Sequence, residues 1–109
     1  LTTSFRNKLY PAYKANRPLP PPELAAQIQR CRALSEALGI ACFDHEEYEA
    51  DDLIATLAAR LAAAGQRCRV VSSDKDLCQL VGPAVALHDY AKGETYDERG
   101  VRRRLGVRP

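Results

Sequence analysis

Two short acidic motifs could do chemistry in this sequence: Glu49-Ala50-Asp51-Asp52 and Asp74-Lys75-Asp76. Carboxylates are hard oxygen donors. A few of them, completed by water and phosphate oxygens, hold divalent cations such as Mg²⁺. Two such ions about 3.5–4 Å apart stabilise both the attacking and the leaving oxygen of a phosphodiester displacement. A site of that kind needs several acids, from different elements, converging at one end of a sheet. Each motif also suits a purely structural role. Acids at a helix start complement the helix dipole, and Asp-x-Asp after a strand is a common turn composition. From spacing alone, the metal site and the structural role both stay open.

A basic, aromatic segment precedes these acids. Residues 5–18 contain Arg6, Lys8, Lys14 and Arg17 together with Phe5, Tyr10 and Tyr13. Cations neutralise phosphates, and aromatic rings stack on unpaired bases. Lys14 and Arg17 are three residues apart, so one helical turn would aim both at the same phosphate. Phe5 and Tyr10 read as ordinary core anchors. Tyr13, Lys14 and Arg17 are the candidates for nucleic-acid contact.

The elements that must position these groups alternate between helix and strand. Residues 1–22 hold five prolines and read as a short helix or loop running into an extended stretch. Pro22 suits the first turn of a helix, along which Leu24, Ile28, Cys31, Leu34 and Leu38 follow at helical spacing until Gly39. Residues 40–43 read as a short strand. Residues 49–64 read as a second helix with Leu53, Leu57 and Leu61 on one face and Gly65 at its end. Glu49 and Asp52 then share a helix face. Residues 68–72 form an apolar strand suited to a sheet covered on both faces. A short helix over 76–81, a strand over 84–88, a further short strand at Thr95 and Tyr96, and a helix capped by Asp97 and closed by Gly106 complete the chain. The pattern predicts an α/β domain with a mainly parallel sheet. Ligands of such sheets bind beyond the carboxyl ends of the strands, where Asp74 and Asp76 fall.

Composition is consistent with a folded domain. The 109 residues are 46% hydrophobic and 28% charged, which excludes a disordered tail. No apolar run approaches the roughly 18 residues needed to span a bilayer. The net charge is only +2, but it is segregated. Basic residues dominate up to position 34, acids occupy positions 44–52, and arginines return from Arg99 to Arg108. This pattern fits a polyanion-binding surface beside a metal pocket, or simply solvated faces. Cys31, Cys42, Cys68 and Cys78 form no C-x-x-C pair and read as free thiols of a reducing compartment. The chain contains no methionine, so Leu1 is read as something other than a native start.

The string Tyr13-Lys14-Ala15-Asn16-Arg17-Pro18, then Glu49-Ala50-Asp51-Asp52, then Asp74-Lys75-Asp76-Leu77 with Gln79-Leu80, resembles the bacterial 5′→3′ exonuclease family. That family comprises the nuclease domain of DNA polymerase I and stand-alone flap endonucleases. The tail from Gly100 to Pro109 extends the resemblance over nearly the whole chain. It implies a PIN-like α/β fold, flanked by helices, and two Mg²⁺ or Mn²⁺ ions. Glu49 and Asp51 would bind the first ion, with Asp52 beside them, and Asp74 and Asp76 would face the second. Tyr13, Lys14 and Arg17 would lie at the base of a helical arch formed with residues 1–22, while residues 23–109 form the α/β core. Lys14 and Arg17 would grip and polarise the scissile phosphate. The implied substrates are 5′ flaps, nicked duplexes, single-strand/duplex junctions and RNA primer ends. The implied setting is the bacterial cytoplasm, away from membranes, with the protein a monomer.

The resemblance also implies parts that this sequence lacks. The family's first strand, with its metal-binding Asp, and a second Asp would precede Leu1, and a further Asp pair would follow Pro109. The expectation is therefore a partial nuclease domain without its first strand, inactive as this chain alone. Two other classes remain: a non-catalytic DNA-binding remnant of the fold, and another Mg²⁺-dependent Asp-x-Asp phosphotransfer enzyme. The latter would not need Lys14 and Arg17.

Overall fold

A computed structural model describes residues 4–109; residues 1–3 of the expected arch base, 1–22, lie outside it. The chain forms two compact units, Leu1–Glu49 and Ala50–Pro109. Among the described residues, no helix is long and apolar enough to cross a membrane.

In the first unit, α1 (Phe5–Leu9) starts after Ser4, whose backbone N–H donates to Asn7 Oδ1 at 2.9 Å. The Phe5 N–H donates to the Glu47 carbonyl at 2.9 Å, and the Phe5 ring tilts against Tyr48 at 5.5 Å. Phe5 thus anchors α1 locally, but it is only half-buried and lies outside the hydrophobic core. Tyr10 is no core anchor either, being 64% exposed. Helix α2 (Pro22–Ala37) carries Pro22 in its first turn and Glu23 beside its positive end. Beyond it Gly39 adopts φ +76°, which an L side chain resists. The apolar stripe of α2 buries nothing, and Leu24, Ile28, Leu34 and Leu38 all stay exposed.

Residues 40–43 do not form the expected strand. A strand is defined by a ladder with a neighbour, and a four-residue apolar run has no preference strong enough to replace one. Instead Arg32 reaches across to Asp44 at 2.9 Å, also bonding Glu36 on its own helix, and so ties this stretch to α2.

The second unit contains the sheet. Helix α3 (Ala50–Ala63) is followed by β1 (Cys68–Val71), a 3₁₀ helix (Lys75–Leu80), β2 (Val85–Asp89), β3 (Glu94–Tyr96) and α4 (Glu98–Leu105). The sheet order is β1-β2-β3. β1 and β2 are parallel, with Val70 opposite Leu87, and β3 returns antiparallel, with Tyr96 opposite Leu87. The parallel expectation therefore holds for only one of the two pairs. Residues 90–93 are too few for a crossover, so they make a hairpin.

Helix α3 packs Ala58 and Ile54 against Val70, Leu77, Val85 and Leu87. Val70 is buried, but its neighbour Val71 is 61% exposed, so β1 is covered on one face rather than two. Helix α4 starts at Asp97, whose Oδ1 accepts from the Gly100 N–H at 2.7 Å. It buries Val101 and ends at Gly106 in the left-handed conformation, φ +76°.

Candidate active site

In the first unit the basic segment closes on Glu49. Asn7 Nδ2 donates to the Tyr13 carbonyl at 2.8 Å, which fixes the chain just before Lys14. Lys14 itself sits at φ +55°, a left-handed conformation that costs a side-chain-bearing residue about 1 kcal/mol. The turn closes with the Arg17 N–H donating to the Lys14 carbonyl at 3.0 Å. It is a hydrogen-bonded turn, the loop alternative of the sequence reading. Its geometry sends Lys14 Nζ to Glu49 Oε2 at 2.6 Å, and the Tyr13 hydroxyl donates to the same oxygen at 3.3 Å. The Lys14 ammonium also lies 4.9 Å from the Tyr13 ring centre.

Glu49 is mostly shielded, its side chain 18% exposed. The Lys14 ammonium holds its carboxyl below the usual carboxylate range, and Glu49 in turn raises Lys14. Both groups are therefore charged at neutral pH. Because α3 begins at Ala50, Glu49 lies just outside the helix.

In the second unit Asp51 and Asp52 occupy the first turn of α3, and Asp51 is exposed. Asp74 and Asp76 follow the carboxyl end of β1, also exposed. Their loop is pinned on several sides. The Ser72 N–H donates to the His88 carbonyl at 3.0 Å, and the Asp74 N–H to Ser72 Oγ at 3.1 Å. Asp74 Oδ1 accepts from the Asp76 N–H at 2.9 Å, which caps the 3₁₀ helix. Gln79 closes the turn by donating to the Asp76 carbonyl at 2.9 Å.

A fifth anchor is a residue that spacing did not single out. Asp89 ends β2 and is only 1% exposed. Its Oδ1 accepts from Ser73 Oγ at 2.9 Å, tying the loop of Asp74 and Asp76 to the core. Its Oδ2 lies 3.2 Å from Lys92 Nζ and 3.9 Å from Arg104 Nη2. The signal in the sequence was an acid closing an alternating strand, Val85-Ala86-Leu87-His88-Asp89, at an inward position.

Burial pushes the Asp89 carboxyl up, but the Ser73 hydroxyl and the Lys92 ammonium outweigh it and hold it below the usual range. A depressed folded value means a stabilising contribution that is complete above the unfolded Asp value of about 3.9 and lost as pH falls through the folded one. Urea midpoints measured from pH 6 down to pH 2.5 should therefore fall at the acid end. Asp89→Asn should be less stable at neutral pH and should show a shallower acid decline. An unchanged decline would mean that Asp89 contributes nothing to it.

The donor set is all oxygen, which suits Mg²⁺ or Mn²⁺. Among the described residues, no group of three or more His, Cys, Asp or Glu side chains stands close enough to hold a metal ion together. Mg²⁺ does not require such a cage, because one or two carboxylates with water and substrate phosphate hold it. Asp51 and Asp52, exposed or partly exposed at the start of α3, and Asp74 and Asp76 after β1 are oxygen donors of the kind that mode uses.

The profile of the 5′-3′ exonuclease N-terminal resolvase-like domain matches residues 2–106. A flap endonuclease Xni of Edwardsiella ictaluri is 42% identical over 106 residues, 97% of this chain and 42% of that protein. A DNA polymerase I of Rhizobium leguminosarum is 44% identical over 106 residues, again 97% of this chain but 10% of that protein. The crystal structure of the T5 D15 protein, co-crystallised with metal ions, superposes with a TM-score of 0.73 at 22% identity, covering 96% of this chain and 43% of that one. The chain thus spans less than half the length of these relatives. The mixed α/β fold and the match over nearly all of its residues place this chain in the 5′-3′ exonuclease family, as an N-terminal resolvase-like domain.

Proposed function

We propose that the protein carrying this chain is a divalent-metal-dependent 5′→3′ exonuclease and flap endonuclease, acting on DNA in replication and repair in the bacterial cytoplasm. The observation that carries the reading is the convergence of Lys14 and Tyr13 on Glu49. It sets a cation and an aromatic ring beside one of the candidate metal-holding acids. A phosphodiester at a 5′ single-strand/duplex junction needs those groups side by side.

Glu49, Asp51 and Asp52 would hold one ion, and Asp74 and Asp76 a second. Mg²⁺ or Mn²⁺, when bound, supplies Lewis-acid polarisation of the phosphate and acidifies water. The chain's own residues do the rest. Lys14 and Arg17 donate to the phosphate oxygens, whose charge grows as water oxygen bonds to phosphorus and the bond to the leaving sugar oxygen breaks. The Tyr13 ring stacks on an unpaired base. The Asn7 bond and the Lys14–Glu49 pair hold Tyr13 and Lys14 in place before DNA arrives, so little reorganisation of these two is left for the reaction.

The test is cleavage of a 5′-flapped duplex by the whole protein, with and without Mg²⁺. Cleavage should require the metal. Lys14→Ala with Arg17→Ala should lower it by about 10²-fold, the size expected for lost phosphate donors. Unchanged cleavage would favour a different Asp-x-Asp phosphotransfer enzyme. Binding without cleavage by the unaltered protein would favour a non-catalytic remnant.

A further inference from the structure

We propose that the outer face of α4 is a second nucleic-acid surface, which grips the phosphate backbone of duplex DNA. The proposal rests on the nuclease reading above and adds to it a site for the double-stranded part of the substrate.

At 100° per residue, Val101 and Arg104 point to the buried side of α4, while Arg99, Arg102 and Arg103 share an arc of about 100° on the other. All three are exposed, and no ion pair or hydrogen bond is formed by their side chains among the described residues. Spacings of three and four residues put like charges next to one another, an arrangement that disfavours the helix. A solvated helix face ordinarily interleaves acids, and the only acid in α4 is Glu98, in its first turn. The repulsion is relieved when a polyanion brings several negative charges to the face at once. Duplex DNA offers one charge per about 1.7 Å of its axis.

Arg104 behaves differently, and the contrast separates the binding face from its support. Its guanidinium stacks over the Tyr96 ring at 4.6 Å and lies 3.9 Å from the buried Asp89. It fastens α4 to the sheet. Beside it opens a cavity of about 480 Å³, lined by Lys92, Glu94, Tyr96, Arg103 and Arg104 among others. Arg103 belongs both to this cavity and to the outer face, so the cationic surface continues from the helix to the β2–β3 turn. Lys92 in that turn is 54% exposed, and although its ammonium pairs with Asp89 at 3.2 Å it adds positive charge at the edge of the strip. A continuous strip of this kind suits a backbone better than a single bound phosphate.

The test is binding of a blunt, unflapped DNA duplex to the whole protein in Ca²⁺ or EDTA buffer, followed by fluorescence anisotropy between 50 and 200 mM salt. The variants are R99Q/R102Q/R103Q and the charge-keeping R99K/R102K/R103K. If three phosphate contacts are lost, the slope of log affinity against log salt becomes shallower by about 2.7. Over this fourfold salt range the unaltered protein then loses about 40-fold more affinity than the Gln variant. The Lys variant should keep the original slope, and the Gln variant should melt no lower than the unaltered protein. Equal duplex affinity and slope for the unaltered and Gln proteins would overturn the proposal. So would an equal loss of binding to polyglutamate, which would make the face a general acidic-protein surface. The nuclease reading is judged separately, by Mg²⁺-dependent flap cleavage. If that persists while duplex binding ignores the arginines, only the α4 surface falls.

Discussion

Asp74→Asn and Asp51→Asn, each made in the whole protein, are expected to lower single-turnover cleavage of a 5′ flap by at least about 10³-fold, roughly 4 kcal/mol of transition-state stabilisation. DNA affinity should change far less. The substitution removes one negative charge and keeps the shape. At Asp74 it also keeps the structural bond, since an amide Oδ1 still accepts from the Asp76 N–H that caps the 3₁₀ helix. At Asp51, exposed in the first turn of α3, the structural loss is the dipole interaction of an N-terminal acid, about 0.3–1 kcal/mol. Neither change unfolds the chain, so a large kinetic loss reports chemistry. Near-normal cleavage by both variants would remove these acids from the site.

The largest effect on stability is expected at Leu87. It sits in the middle of β2, the central strand, 1% exposed, opposite Val70 on one side and Tyr96 on the other. Leu87→Ala leaves a cavity that three strands and α3 can collapse only in part, and should cost about 2–5 kcal/mol. Set against marginal domain stabilities of about 5–15 kcal/mol, that is a large share. Urea denaturation followed by circular dichroism measures it. Leu38→Ala is the control: at 69% exposure it should shift stability by under about 0.5 kcal/mol. Equal effects at the two positions would mean that the core is not centred on β2.

The elements legible in the sequence were those with strong local rules. Pro22 opened α2, Asp97 and Gly106 bracketed α4, and the leucine spacing marked α3 to within a residue at each end. What failed depended on partners far along the chain. Residues 40–43 carry a strand's composition but find no ladder. The α2 stripe has helical spacing, yet Ile28 and Leu34 stay exposed, because periodicity reports an amphipathic face and not what covers it. In the site, Lys14 and Glu49 were each visible as chemistry-bearing residues, but their 2.6 Å contact joins positions 35 apart and no local pattern encodes it. Asp89 escaped notice for the same reason, since its partner Ser73 is 16 residues earlier.

The backbone at position 14 shows two demands in conflict. A glycine would take φ +55° without strain, and asparagine or aspartate would tolerate it better than lysine does. None of these brings an ammonium to Glu49. Ease of folding and the charge at this turn thus select different residues, and lysine satisfies only the second. A substitution that relieves this torsion would also take the ammonium away from Glu49, so a gain in backbone ease and the role proposed for Lys14 are set against each other in a single torsion angle.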